Sequence, residues 1–153
     1  MQISDILLIA AMALSSCSNY ISYSMIGPFF PVVALQRQIS ETISGLIFAI
    51  YGIILLVVSP LTGRYVIPHF GVKRTAIIGM IVCAFGHFAF SFLEMIHSKN
   101  IFTAMSFTLR ATIAFGASNY MTSEFTMIMA IFPGKVGQII VRQRYLIIKM
   151  LCL

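Results

Sequence analysis

Charge is what this sequence has least of. Asp, Glu, Lys and Arg together make up 9% of its 153 residues, four of them acidic, against 59% hydrophobic residues. So few charges cannot clothe a water-soluble globule of this size, which excludes the soluble class and points to a membrane protein. Cysteine is equally sparse. Cys17, Cys83 and Cys152 are odd in number, widely spaced and mostly inside apolar runs, which excludes a disulfide framework or zinc-type spacing and leaves them as small packing residues. There is no HExxH, no phosphate-cradling GxxxxGK(S/T), no GxSxG elbow and no CxxC. Catalysis is therefore not expected, and no cofactor or metal is implied. Leu14, Ser15, Ser16 and Cys17 imitate a lipoprotein cleavage box, but a cleaved lipoprotein signal is not expected there, because Gln2 and Asp5 stand where such a signal carries positive charge.

What is present is a succession of long apolar runs. A helix needs roughly 20 apolar residues to cross a ~30 Å hydrocarbon core, so the chain has room for about four crossings in a single bundle. The first run extends from Ile3 to Phe30 and closes on Gly27, Pro28, Phe29, Phe30 and Pro31, where two prolines are expected to bend or end the helix. A polar connector, Gln36 to Glu41, leads to a second run over 42–61. A basic connector, Gly63 to Arg74, separates it from a third over 75–96. The fourth covers 101–132 and is stopped by Pro133 and Gly134. Residues 1–137 thus read as one all-α polytopic membrane bundle of about four transmembrane helices. Residues 138–153 form an apolar tail broken by Arg142, Arg144 and Lys149. Each such charge costs ~2.5–3.5 kcal/mol at a helix centre, so the tail is expected on the cytoplasmic membrane surface or as an unstructured basic end.

The net charge of +6 does not indicate nucleic acid, because the basic residues occupy short gaps between apolar runs and form no patch. Arg64, Lys73, Arg74, Lys135, Arg142, Arg144 and Lys149 fall on one side of the four runs, and only Arg37 and Lys99 on the other. The bias predicts that both termini and the Gly63 to Arg74 connector are cytoplasmic.

Within the runs a few polar residues stand out. Ser16, Asn19, Tyr20 and Tyr23 recur at i, i+3, i+4 and i+7, one face of a helix, either as polar glue between helices or as the wall of a substrate cavity. Arg110 lies about ten residues into the fourth run, too deep to be an end residue, and a buried arginine marks a pathway or a paired charge. Glu124 shares its face but sits ~21 Å further along the axis, so the two cannot pair. His87, near the middle of the third run, is expected to hydrogen-bond a neighbouring helix. Asp5 and Glu94 fall at helix edges, where solvated charge is ordinary.

These residues resemble the major facilitator superfamily, and within it the vesicular amine and polyamine branch. Pro28, Phe29, Phe30 and Pro31 resemble that branch's sequence after its first span. Gly63, Arg64, Gly71, Val72, Lys73 and Arg74 look like the superfamily's glycine and basic signature between helices two and three. Arg110, Gly116, Phe132 and Pro133 look like the fourth-helix arginine motif and the end of that helix. There are two departures: Ile67 stands where the signature carries an aspartate and the glycines are one residue further apart, and the basic tail does not look like a fifth span. The resemblance implies a partial major facilitator fold. It further implies that the intact relative is a secondary transporter in a vesicular, endomembrane or plasma membrane, exchanging a small organic solute such as a cationic amine for protons. Asn19, Tyr20, Tyr23, Arg110 and Glu124 would face its cavity, and Gly63, Arg64, Gly71, Lys73 and Arg74 would shape its cytoplasmic hinge. Its partners would be the lipid bilayer, the solute and the missing transporter helices or a full-length relative, and the chain alone would be inactive. A four-helix membrane scaffold without transport activity is the alternative. A small dimeric multidrug exporter is set aside, because it needs a glutamate deep in its first helix, where this chain has only Asp5 at the edge.

Overall fold

The structure, a computed structural model, describes residues 3–96, 98–134 and 136–151. Among these the chain is helical throughout, without a strand. Helix α1 spans Ile3–Gln36, α2 Glu41–Leu61, α3 Val72–Ser91, α4 Lys99–Ile131 and α5 Val136–Leu151. The two prolines do not end α1, which runs through Pro28 and Pro31 to Gln36. The lost backbone bonds are outweighed by packing beyond them. Phe30 and Ala34 are buried with Ile39, Ile47, Leu93 and Phe102 in one cluster, and the Phe30 ring lies 5.9 Å from Phe102 and 5.6 Å from Phe48.

Ser40 caps α2, its hydroxyl accepting from the amide of Ile43 at 3.4 Å, and Glu41 lies in the first turn, where negative charge suits the helix dipole. The expected Gly63 to Arg74 connector is mostly helical. After Pro60 the chain takes a π-helical turn at Thr62–Val66, which absorbs the register lost at the proline, and one further α turn at Ile67–Phe70. The break comes only at Gly71, whose φ of 79° favours glycine. Lys73 and Arg74 therefore belong to the first turn of α3. That helix ends in a 3₁₀ turn, Phe92–Met95.

Three stretches, Glu41–Phe70, Val72–Met95 and Lys99–Ile131, are long and apolar enough to cross a membrane among the described residues. α1, expected as the first of four spans, is 34 residues long, ample for a crossing, and carries Ser15, Ser16, Ser18, Asn19 and Ser22 in its middle. Its polar groups are largely satisfied from within. Ser15 donates to Ala11 O at 2.9 Å, Ser22 to Ser18 O at 2.9 Å and the Asn19 amide to Ser15 O at 3.2 Å, which lowers the cost of placing this helix in lipid.

α4 is the axis of the bundle. It packs closely on α3, where Gly79, Cys83 and Gly86 meet Ile113 and Gly116. A methyl group on Gly79 would stand 2.7 Å from both Gly116 O and Tyr120 N, so the helices approach through backbone. Against α2 and the π turn that follows it, Ser59 shares a hydrogen bond with Ser118 at 3.0 Å and Thr62 donates to Asn119 Oδ1 at 2.9 Å. The outer faces of the helices carry large apolar residues such as Leu56, Phe85 and Phe115, as lipid contact requires.

Candidate functional site

α1, α2 and α4 enclose a cavity of about 350 Å³. All four residues of the α1 stripe, Ser16, Asn19, Tyr20 and Tyr23, line it, facing Tyr51 of α2 and Tyr120 of α4. The spacing that put the four on one helical face also brings them to one chamber. Tyr51 and Tyr120 escape the sequence reading because each is an isolated tyrosine in an apolar run. Their only signal is a phenol that must find a hydrogen-bond partner or water.

The cavity is closed at one end by a buried polar cluster joining α1 to α4. Ser16 donates to Glu124 Oε1 at 2.7 Å and lies 3.1 Å from the Tyr120 hydroxyl, which in turn donates to Met12 O at 3.1 Å. Glu124 is thus reached from the chamber through Ser16 and does not line it. At the other end Tyr23 and Tyr51 approach to 4.9 Å between ring centroids. Behind Tyr23 lies Arg110, fully buried, its guanidinium 4.5 Å from the Phe48 ring centre, 5.3 Å from Tyr23 and 5.5 Å from Phe90. Nε and both terminal nitrogens have no hydrogen-bond acceptor among the described residues. Ring faces offset part of the cost of burying the cation but satisfy none of its directed donors. Arg110 and Glu124 stand at opposite ends of this arrangement, separated by fourteen residues of continuous helix, about 21 Å.

His87 does not bond a neighbouring helix. Among the described residues its Nδ1 lies 2.8 Å from Cys83 O, one turn back on α3, and its ring is turned to the α1 side. There it lines a second cleft of about 370 Å³ with Ser15, Ser18, Asn19, Ser22 and Cys83. Cys17 and Cys83 are buried, and Cys152 lies outside the described residues. Glu94 is exposed, whereas Asp5 is not among the residues whose side chains are described. Gly63, Arg64, Gly71, Lys73 and Arg74 are all exposed at the junction of α2 and α3, with the Arg64 guanidinium over the Tyr65 ring at 5.4 Å. They form a surface at one end of the bundle, apart from the cavity.

A family model described as Major Facilitator Superfamily matches residues 12–142. Over 118 residues, 77% of this chain, the sequence is 33% identical to the MFS-type transporter SLC18B1 of Mus musculus and to its counterpart in Rattus norvegicus, and 31% identical to that of Homo sapiens. The aligned region covers 26% of each of these curated relatives. No solved structure matches the chain. Extent of the family match, the helical membrane architecture and the order of the motifs agree: the chain belongs to the major facilitator superfamily, a class of membrane transporters.

Proposed function

We propose that these helices supply part of the first bundle of a secondary transporter, with the chamber between α1, α2 and α4 as their share of the solute path. The carrying observation is convergence. Six polar or aromatic side chains from three helices surround one chamber in an otherwise apolar bundle, the kind of concave site with few polar groups that small ligands use. The solute is a small organic cation. The faces of Tyr20, Tyr23, Tyr51 and Tyr120 attract ammonium groups, and Glu124 supplies a counter-charge behind Ser16. Glu124 is also the carboxylate suited to exchange that cation for a proton, and Arg110 keeps the opposite end of the path cationic.

The termini and the α2–α3 junction face the cytoplasm of a plasma, vesicular or other internal membrane, with Gly71 as the pivot of the junction. Four long helices provide only part of one bundle, so the remaining helices come from further sequence or from a full-length relative, and the chain alone is inactive. The test is a chimera in which residues 12–142 replace the matching segment of the mouse transporter, assayed for proton-gradient-driven uptake of organic amines into vesicles. Uptake that falls at least about tenfold in Tyr51→Ala and in Glu124→Gln, with membrane insertion unchanged, is expected. A chimera that is inserted and active but indifferent to both substitutions would remove the chamber from the path.

A further inference from the structure

The chamber between α1, α2 and α4 has opposite charges behind its two ends. At one end Ser16 stands between the cavity and the Glu124 carboxylate, to which it donates at 2.7 Å. About 10 Å further along α1, Tyr23 stands between the cavity and the Arg110 guanidinium, which lies 5.3 Å from its ring centre. The carboxylate has a hydrogen-bond donor. The guanidinium has no acceptor: its side chain is fully buried and all three nitrogens are unfilled among the described residues. The rings of Tyr23 and Tyr51 meet at 4.9 Å, and neither hydroxyl donates to an acceptor among the described residues. Arg110 is within electrostatic reach of both phenols. This end of the chamber therefore gathers one fixed positive charge and two phenol donors. The acidic side chains described lie elsewhere, Glu41 and Glu94 exposed at the start of α2 and the end of α3, and Glu124 fourteen residues along α4.

We propose that the Tyr23–Tyr51 end of the chamber binds a small monoanion, hydrogen-bonded by the two phenols and held by the charge of Arg110. Both phenols can donate, and a guanidinium is a donor only, so the missing group is an acceptor. Water could accept these bonds, but it would leave the buried charge uncompensated, whereas an anion fills the bonds and offsets the charge. A cation is repelled from this end by Arg110. The cavity of about 350 Å³ is far larger than the ~30 Å³ that a water molecule occupies, so an ion of chloride size leaves room for a cationic group between Tyr20, Tyr120 and Ser16. The monoanion is either a free halide or the carboxylate of a solute whose other end is cationic, since both present one negative charge and several lone pairs. All the donors belong to this chain, so binding requires neither transport nor further helices.

The test uses the purified 153-residue chain in detergent, with chloride replacing the bulkier gluconate at constant ionic strength. Chlorine NMR line broadening reports the bound ion directly, and thermal unfolding reports the stability linked to it. Both should change with chloride and saturate at the same midpoint. Tyr23→Phe and Tyr51→Phe should each weaken the apparent affinity at least about tenfold, the worth of a hydrogen bond to a charged group, and Arg110→Leu should abolish it. Unchanged elution shows that these variants remain folded. Displacement of chloride by γ-aminobutyrate but not by butylamine would identify a solute carboxylate as the occupant, and displacement by neither would identify a free halide. Chloride dependence that fails to saturate, or that persists in Arg110→Leu, would overturn the proposal by reducing it to a general salt effect. Equal displacement by the two amines would overturn it as well, because the ion would then be held by no recognition of negative charge.

Discussion

The Arg37 guanidinium lies 4.2 Å over the ring of Phe102 and donates to three backbone carbonyls, those of Leu93 at 3.2 Å, of Glu94 at 2.6 Å and of Ile96. These carbonyls belong to the turn that ends the 3₁₀ extension of α3, where the helix leaves acceptors unfilled. Lys99 completes the fastening by donating to Gln38 O at 2.6 Å. The two basic residues outside the positive side of the chain are thus both committed to joining the α1–α2 turn to the α3–α4 turn.

Arg37→Ala should therefore destabilise the bundle by roughly 2 kcal/mol, since hydrogen bonds to a charged donor are worth about 1.5–3 kcal/mol and a partly buried stacking contact is lost with them. Arg37→Lys should recover less than half, because an ammonium cannot present the planar fork that meets several carbonyls at once. Thermal unfolding of the purified chain in detergent measures both. Equal stability of Arg37→Ala and the parent would show that the fork carries no load.

The α3–α4 contact makes a sharper demand. At Gly79 an added methyl meets Gly116 O and Tyr120 N, backbone atoms that cannot rotate away, whereas at Gly45 it meets nothing within 4 Å. Gly79→Ala should lower stability by roughly 1–3 kcal/mol through forced separation of the helices. Gly45→Ala should be neutral or raise it by up to about 1 kcal/mol through helix propensity. The same unfolding assay compares them, and the order Gly79→Ala above Gly45→Ala would contradict the packing.

Much of this was readable from residue order, for reasons that differ by element. The α1 stripe was legible because helical periodicity alone fixes which residues share a face, and Ser16, Asn19, Tyr20 and Tyr23 indeed meet at one cavity. The end of α1 was not, because proline predicts a break locally while the Phe30 and Ala34 packing that overrides it is tertiary. The Gly63 to Arg74 stretch reads as a basic connector from its glycines and its arginines and lysine, yet a π turn carries the helix on to Phe70. The rings around Arg110 come from positions 23, 48 and 90 on three helices, and no spacing rule connects them. Arg37 shows the opposite limit: counted in sequence as a loop charge, it is a structural clasp.

For Arg110 the expectation separates folding from function. Its side chain is fully buried among rings with no acceptor, so Arg110→Leu should leave insertion and stability of the chain intact or improved, because a charge is exchanged for an apolar group of similar bulk. In the chimera with the mouse transporter the same change should abolish uptake, and Arg110→Lys should not restore it. Normal uptake by Arg110→Leu would take this residue out of the mechanism.

Orientation is testable at positions the structure shows to be accessible. Thr75 is buried, with its hydroxyl donating to Gly71 O, so Lys73 is the better probe of the α2–α3 junction and Asn100 of the opposite end. In a Cys152→Ser background the two described native cysteines are buried and quiet. A membrane-impermeant maleimide added to intact cells should label Asn100→Cys and spare Lys73→Cys until the membrane is opened. The reverse pattern would invert the topology.

The last expectation concerns the chain by itself. Alternating access requires two bundles rocking about a central site, and the helices here supply only part of one bundle. Ser18, Tyr23 and Ser24 on α1 are exposed, as is Gly52 at the cavity mouth, so polar surface would face lipid unless other helices cover it. The purified chain should therefore move no solute, and it should self-associate or bind a full-length relative through the α1 and α2 faces. Co-purification of a tagged relative, weakened when Ser18 and Ser22 are replaced by leucine, would show that those faces are the contact. Saturable, gradient-dependent uptake into vesicles holding only this chain would overturn the expectation, because it would mean that copies of these helices assemble both halves of a path.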